Sequence, residues 1–455
     1  MPASLTDGQL NSHKQQLGAA LEKADLDLVS ILINADIAVG DIAHLLETTP
    51  HKHRLTLWDF VAEALQGEVL THLNEDIQQS FLARMSAEEI VETTHDIDND
   101  DLADLLQQMP EGRSSRVLQL LAPEERSQVE GLLAYPEDTA GGLMTTDMVT
   151  VRGDVTVAAV LRYLRKISLP DALDRLWVTN RQFHYQGSLA LTVLLTAKPS
   201  SLVSDIMNTD IKGIRAGEDE EQVARLFERQ DLVSAPVIND DGIVIGRITI
   251  DDVVDVISDS AAHNMMSMAG LDEENDTYSP IVKSSQDRAV WLGINMATAF
   301  IAALVMSQFE ASIAQIVALA VLSPVVASMG GIAGSQTLTL MIRGMATGHI
   351  GQSNLTWLVL RELGVGLING SLWAIVIGVI TFFWYHQVSL SLVIAAAILV
   401  NICIAVLSGT VLPFFLKAAN IDPALSGSVI LTTLTDVFGF LTFLGLATLF
   451  LLQGM

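Results

Sequence analysis

A chain of 455 residues that is 50% hydrophobic and yet carries a formal net charge of −28 cannot spread both properties evenly. From Ile281 to the end stand five basic and five acidic residues, which leaves 20 of the 25 basic and 48 of the 53 acidic residues before it. That acidic excess excludes a nucleic-acid surface and favours a solvated, cation-attracting one, while the single cysteine, Cys403, excludes a disulfide framework or a Cys-based zinc site.

The first residues, Met1 to Asp25, are polar and lack the apolar core of a signal peptide, so the acidic part is expected to stay in the cytoplasm. Residues from about 15 to 135 read as short amphipathic helices with leucines at helical spacing, as in Gly67–Leu73 and Asp100–Leu106. Asp96, Asp98, Asp100, Asp101 and Asp104 crowd one stretch without the glycine spacing of a calcium loop. Alone, such a run reads as a helix start, with carboxylates complementing the helix dipole. Residues 1–135 are thus an acidic, all-α helical domain.

An internal repeat follows. Gly142-Leu-Met144-Thr-Thr-Asp147 and Asp205-Ile-Met207-Asn-Thr-Asp210 place their methionines 63 residues apart, a spacing suited to repeated β-α units. Amphipathic helices are predicted after each, at Val155–Lys166 and Glu220–Arg229. The second copy continues with alternating strands around Asn239–Gly242 and a helix start at Asp251-Asp252. This pattern resembles a cystathionine-β-synthase (CBS) domain pair, closely in the second copy and loosely in the first, and gives an α/β unit over 136–260. Residues 190–196, after the last strand of the first copy, offer no acid, so nucleotide binding is not expected there.

Beyond Arg288 come apolar stretches of bilayer length, about 20 residues or more each. Five spans are predicted: Ala289–Phe309, Ala314–Ile342, Trp357–Trp384, Val388–Leu416 and Leu425–Leu452. With the N-terminus inside, Lys283, Arg288, Arg343, Arg361 and Lys417 all fall on the cytoplasmic side, as the positive-inside rule requires, and the C-terminus faces outward. Glu310, Arg361 and Glu362 are expected at the membrane edges, solvated or snorkelling.

Asp436 is the exception. A carboxylate within an apolar span costs about 2.5–3.5 kcal/mol on insertion scales and normally faces an interior or a water-filled path. Thr432 and Thr433 precede it by four and three residues and share its helix face. Carboxylate and hydroxyl oxygens suit a hydrated Mg²⁺, which keeps most of its waters. One aspartate per chain is thin for a cation, and two-fold pairing into a homodimer would supply a second. Ser328, Gly330 and Gly331 in the second span permit close backbone approach or line a pore. No P-loop and no HExxH occur, so passive conduction is expected rather than enzymatic work.

The order of parts resembles the MgtE family of magnesium transporters over nearly the whole chain: acidic helical superhelix (1–135), CBS pair (136–260), connecting or plug helix (261–284) and a five-helix transmembrane pore domain (285–455). The segments that carry the resemblance are 135–144, Thr249–Val256, Phe309-Glu310, Ile342–Gly344, Ile421–Pro423 and Thr433–Asp436. It implies a homodimeric Mg²⁺ channel in a bacterial inner membrane, with Asp436 in the pore and regulatory Mg²⁺ closing it from the cytosol. The regulatory ligands carried over are Glu68, Asp100, Asp104 and the backbone of Gly142, then Asp219, Glu221 and Asp231, then Asp252 and Asp255. The chain departs from the family at Ser260, His263 and Asn264, where acids are usual, at Ile332 and Ser335, where asparagine is common, and at Ser428-Val429, where Gly-Pro is common. A carrier of Co²⁺ or Mn²⁺, or a non-transporting CBS membrane sensor, are the alternatives, and the Thr432/Thr433/Asp436 stripe argues against the sensor.

Overall fold

The computed structural model describes residues 7–23, 25–33, 37–170, 172–271, 281–351 and 354–452. The connecting segment expected over 261–284 therefore lies partly outside the described residues, at 272–280. The chain divides into two compact units, one ending at Ser260 and one formed by Ala261 onward with the five long helices.

The first unit opens with ten short helices, α1 (Asp7–Glu22) through α10 (Pro123–Leu132). From α3 (Val39–Glu47) on, their N-caps are Ala38, Pro50, Ala62, Asn74, Ser86, Asp98, Pro110 and Ala122, one every 12 residues. Each unit is about two turns of helix and a tight connection. Buried side chains recur four, seven and eight residues after the cap, as in Ile42/Leu45/Leu46 and Leu102/Leu105/Leu106. That stripe gives each short helix one apolar face, which it buries against helices two repeats away: α3 (Val39–Glu47) on α5 (Glu63–Thr71), α5 on α7 (Ala87–Thr93), and α8 (Asn99–Gln107) on α10. Isolated helices this short are marginal in water, so the stack holds them. Long polar side chains at the fourth position close the preceding helix. Arg54 Nε donates to Leu46 O at 3.1 Å, Gln78 Nε2 to Leu70 O at 2.9 Å and Arg126 Nε to Leu118 O at 2.6 Å. These bonds satisfy C-terminal carbonyls that a helix leaves unpaired.

The repeat that follows is two copies of one three-stranded sheet. In the first, β1 (Thr150–Arg152) lies parallel to β2 (Arg175–Thr179), which pairs antiparallel with β3 (Tyr185–Ala190). In the second, β4 (Ile214–Arg215), β5 (Ser234–Ile238) and β6 (Val244–Thr249) repeat that order, with a register shift at the equivalent point. The helices α11 (Val157–Leu164), α12 (Leu191–Thr196), α13 (Val203–Ile206) and α14 (Glu220–Gln230) cover them, and α15 (Ile250–Ser267) leads out. The copies exchange their leading segments. Thr145 and Arg247 trade backbone bonds at 2.9 Å each, joining the first segment to β6; Asn208 and Ser188 trade bonds at 2.7 and 2.8 Å, joining the second to β3. Gly246 and Gly187 permit these crossings. A Cβ on Gly246 would stand 2.7 Å from Met144 Sδ, and one on Gly187 2.6 Å from Asn208 O. The weak first copy of the sequence is structurally the equal of the second.

In the second unit stand α16 (Ile281–Ser307), the short α17 (Glu310–Gln315), α18 (Ala318–Ala346), α19 (Leu355–Tyr385), α20 (Val388–Ala418) and α21 (Pro423–Ala447). The five long ones are long and apolar enough to cross a membrane. Four of them meet the predicted spans within a few residues, and α16 begins earlier, at Ile281. α20 is the hub, packed on α18, α19 and α21, while α16 packs on α21. Helices run through Pro324 and Pro413 without ending, as membrane helices permit. Glu362 corrects an expectation: it is only 5% exposed and pairs with Arg361 instead of lying in solvent.

Candidate functional site

The first unit concentrates carboxylates on two faces. One is built by the N-terminal turn of α8 and the start of α15. Asp252 accepts from Thr249 Oγ1 at 2.8 Å and from its N–H at 3.3 Å, a side-chain cap on α15. Burial, with Asp101 and Asp98 nearby, pushes Asp100 up to about 7. Burial also pushes Asp101 up to about 7 beside Asp98 and Asp252, and Asp104 up to about 8 beside Glu137 and Asp100. Asp252 rises to about 7 through burial and the charge of Asp100. Asp255 rises by burial, opposed by His72. One carboxylate oxygen of Asp100 is buried without a hydrogen-bond partner among the described residues.

The second face gathers Asp138, Asp219, Glu220, Glu221 and Asp259. Glu220 is pushed up to about 7 by burial and then by Asp138 and Asp219. Asp219 caps α14, accepting from Gln222 N–H at 3.2 Å, and Glu221 pairs with Arg225 at 3.2 Å. The chain crosses itself here, with Glu220 N–H donating to Asp138 O at 3.1 Å and Ala140 N–H to Glu218 O at 2.7 Å.

The structure thus brings Asp100, Asp104, Asp252 and Asp255 to one face and Asp219 and Glu221 to another. Asp231 is placed elsewhere, in left-handed conformation (φ 50°) at the opposite end of the 11-residue α14, about 16 Å of helix away. Glu68 is exposed on α5, its carbonyl 2.9 Å from His72 Nδ1. Gly142 is buried in a turn whose N–H reaches Thr139 O at 2.9 Å. Asp101, Glu137, Glu220 and His72 also stand on these faces, though the family resemblance did not name them as ligands. Asp101 and Glu220 adjoin residues it did select, so the signal was an acid neighbour on the next helical position. No three acids or histidines among the described residues stand close enough to form a ready cation cage. Carboxylate oxygens are nonetheless the donors that hard Mg²⁺ takes, commonly through its retained waters.

In the second unit Asp436 lies on α21, partly exposed, with Thr432 exposed and Thr433 half-buried on its face. Their hydroxyls donate to Ser428 O and Val429 O at 2.8 Å each, which leaves oxygen lone pairs outward. Gly331 stands on α18 with its Cβ direction 3.9 Å from Thr435 Oγ1, and Ser328 is exposed. Gly330 is buried: its Cβ direction points into the amide of Asn401 on α20. Asn401 is fully buried, donates from Nδ2 to Val326 O at 2.9 Å and also crowds Gly439 on α21. A lone asparagine in an apolar run gave no periodic signal.

Stacked acidic helices, a CBS pair and a five-helix apolar unit with a carboxylate, Asp436, inside one of its spans define a membrane cation transporter with an appended acidic part. Family models agree in chain order: an MgtE intracellular N domain over 37–138, a CBS domain over 203–259 and MgtE, a divalent cation transporter, over 323–446. The magnesium transporter MgtE of Thermus thermophilus is 32% identical over 443 residues, covering 96% of this chain and 98% of the relative. That of Bacillus subtilis is 29% identical, covering 90% and 91%. A crystal structure of the cytosolic domain of the Mg²⁺ channel MgtE in complex with ATP is 33% identical and covers 53% of this chain and 99% of that chain, with TM-score 0.48. The chain belongs to the MgtE family of divalent-cation transporters.

Proposed function

We propose that this chain is a Mg²⁺ channel of a bacterial inner membrane, conducting the hydrated ion through a homodimeric pore and closed by cytosolic Mg²⁺ on its acidic faces. The observation that carries the reading is Asp436, a carboxylate left partly exposed on a threonine-lined face of an otherwise apolar bundle. Two such faces, one per protomer, would supply paired carboxylates for one ion and its waters. The N-terminal domains are cytoplasmic and the C-terminus is outside, in keeping with the charge bias of the loops.

Gating follows from the crowding of acids. Without a cation the carboxylates of Asp100, Asp104 and Asp252 repel, and with Mg²⁺ between them the compact state gains stability. Asp219 and Glu221 act likewise on the second face, and Glu68, Asp231, Asp255 and the Gly142 carbonyl complete the regulatory set. The test is Mg²⁺ uptake into liposomes by wild type and Asp436→Ala, with at least about a tenfold loss expected. Equal flux would overturn the pore assignment.

A further inference from the structure

Asn401 is a fully buried amide in the apolar unit with no part in the Asp436 face. It is 0% exposed, in the middle of α20, the most enclosed of the five long helices. Its Nδ2 donates to Val326 O on α18, but its Oδ1 has no hydrogen-bond partner among the described residues. Both neighbouring helices present glycine to it. A Cβ at Gly330 of α18 would overlap the amide, and one at Gly439 of α21 would stand 2.9 Å from Nδ2. The backbones of three helices therefore close around one amide. Packing alone does not account for an amide here. An apolar side chain of equal size would fill the same space, and a buried acceptor without a donor is destabilising.

Gly439 is three residues beyond Asp436 on α21, about 4.5 Å of axial rise. A Mg²⁺ ion holds its water oxygens about 2.1 Å away, and such a water donates to an acceptor about 2.7–2.8 Å further out. One hydrated ion thus reaches acceptors on both sides of a helical turn. We infer that Asn401 is a second polar group of the cation path, its Oδ1 accepting from the water shell of an ion held at Asp436 when the α18–α21 contact over Gly330 and Gly439 loosens. The inference rests on the conduction reading of Asp436.

The test compares wild type with Asn401→Leu, nearly isosteric and without donor or acceptor, in liposomes loaded with a Mg²⁺ indicator, and measures uptake of Mg²⁺ and of Mn²⁺. The expected result has three parts: a thermal midpoint unchanged or raised, Mg²⁺ uptake reduced at least about tenfold, and a Mg²⁺/Mn²⁺ uptake ratio shifted from that of wild type. A structural role would lower the midpoint and scale both uptakes alike, and that outcome, or Mg²⁺ uptake equal to wild type, overturns the proposal. Should Asn401→Leu fail to assemble, Asn401→Asp keeps the shape and adds a charge; an uptake ratio identical to wild type then overturns it. Absence of Mg²⁺ uptake by wild type itself would instead overturn the conduction reading.

Discussion

The two units handle carboxylates in opposite ways. Up to Ser260 the chain crowds acids until burial and mutual repulsion hold several of them near neutral pH values, as at Asp100, Asp104, Asp252 and Glu220. Within the apolar unit acids are scarce, and three show distinct settings: Glu362 is buried against Arg361, Asp422 caps α21 through the N–H groups of Ala424 and Leu425 at 2.9 Å, and Asp436 is partly exposed among threonines. Crowded acids make a state whose stability depends on cations. On the proposed reading, a carboxylate within an apolar span, as at Asp436, makes a place for a cation to rest. Under the proposed function, that difference would separate sensing from conduction by chemistry rather than by sequence distance.

The largest expected effect breaks the conducting side. Asp436→Asn keeps the shape of the side chain and removes the charge, and it should reduce Mg²⁺ uptake by at least about tenfold while leaving the helical content unchanged. Circular dichroism with a flux assay checks both parts.

Next comes pH on the sensing side. Asp100, Asp104 and Asp252 sit at about 7–8 in the packed face against about 3.9 in a solvated chain. A raised value means that the packed state holds protons more tightly than the open one. The contribution of these protons to holding the start of α15 near α8 is therefore fully present at low pH and lost as pH rises from about 4 through about 8. In Mg²⁺-free buffer, amide hydrogen exchange in α8 should accelerate across that window, and millimolar Mg²⁺ at pH 8 should slow it again. Exchange that slows with rising pH, after correction for the intrinsic rate, would contradict the assignment.

A smaller effect sharpens the fold. Gly246→Ala must push Met144 Sδ or Thr145 O and should destabilise the CBS pair by about 1–3 kcal/mol, whereas Gly217→Ala meets nothing within 4 Å and should stay within about 0.5 kcal/mol. Thermal melts of the two variants separate them. The smallest effect is expected at His263, whose Nε2 lies 3.4 Å from Asp422 Oδ2 with both side chains more than a third exposed. His263→Ala should change stability by less than about 1 kcal/mol, since exposed ion pairs contribute little.

Much of this architecture was legible in the chain. Uninterrupted apolar length placed the long helices, and the Met144/Met207 repeat placed the two sheets. The 12-residue repeat of the N-terminal helices was not read, because its caps are chemically mixed: alanine, proline, asparagine, serine and aspartate serve in turn. Among the described residues, Ser86 with Glu89 forms a full capping box that the residues advertise. At the sites, the acidic run around Asp100 marked α8, but which acids come near one another depends on how the chain folds α8 and the start of α15 together. Asp231 illustrates the limit: close to Glu221 in sequence, it is carried to the far end of α14. Asn401 illustrates another, since one amide among apolar residues gains meaning only from the glycines of two other helices.

The division between sensing and conduction is tested most directly by one flux series. Mg²⁺ uptake into liposomes would be followed at low and at millimolar Mg²⁺ on the cytosolic face, for wild type, Asp436→Ala and the combined Asp100→Asn, Asp104→Asn and Asp252→Asn variant. Asp436→Ala should carry no flux at either concentration, and the triple variant should carry a flux that no longer depends on cytosolic Mg²⁺ as that of wild type does. Preserved flux in Asp436→Ala, or unchanged Mg²⁺ inhibition in the triple variant, would contradict that division.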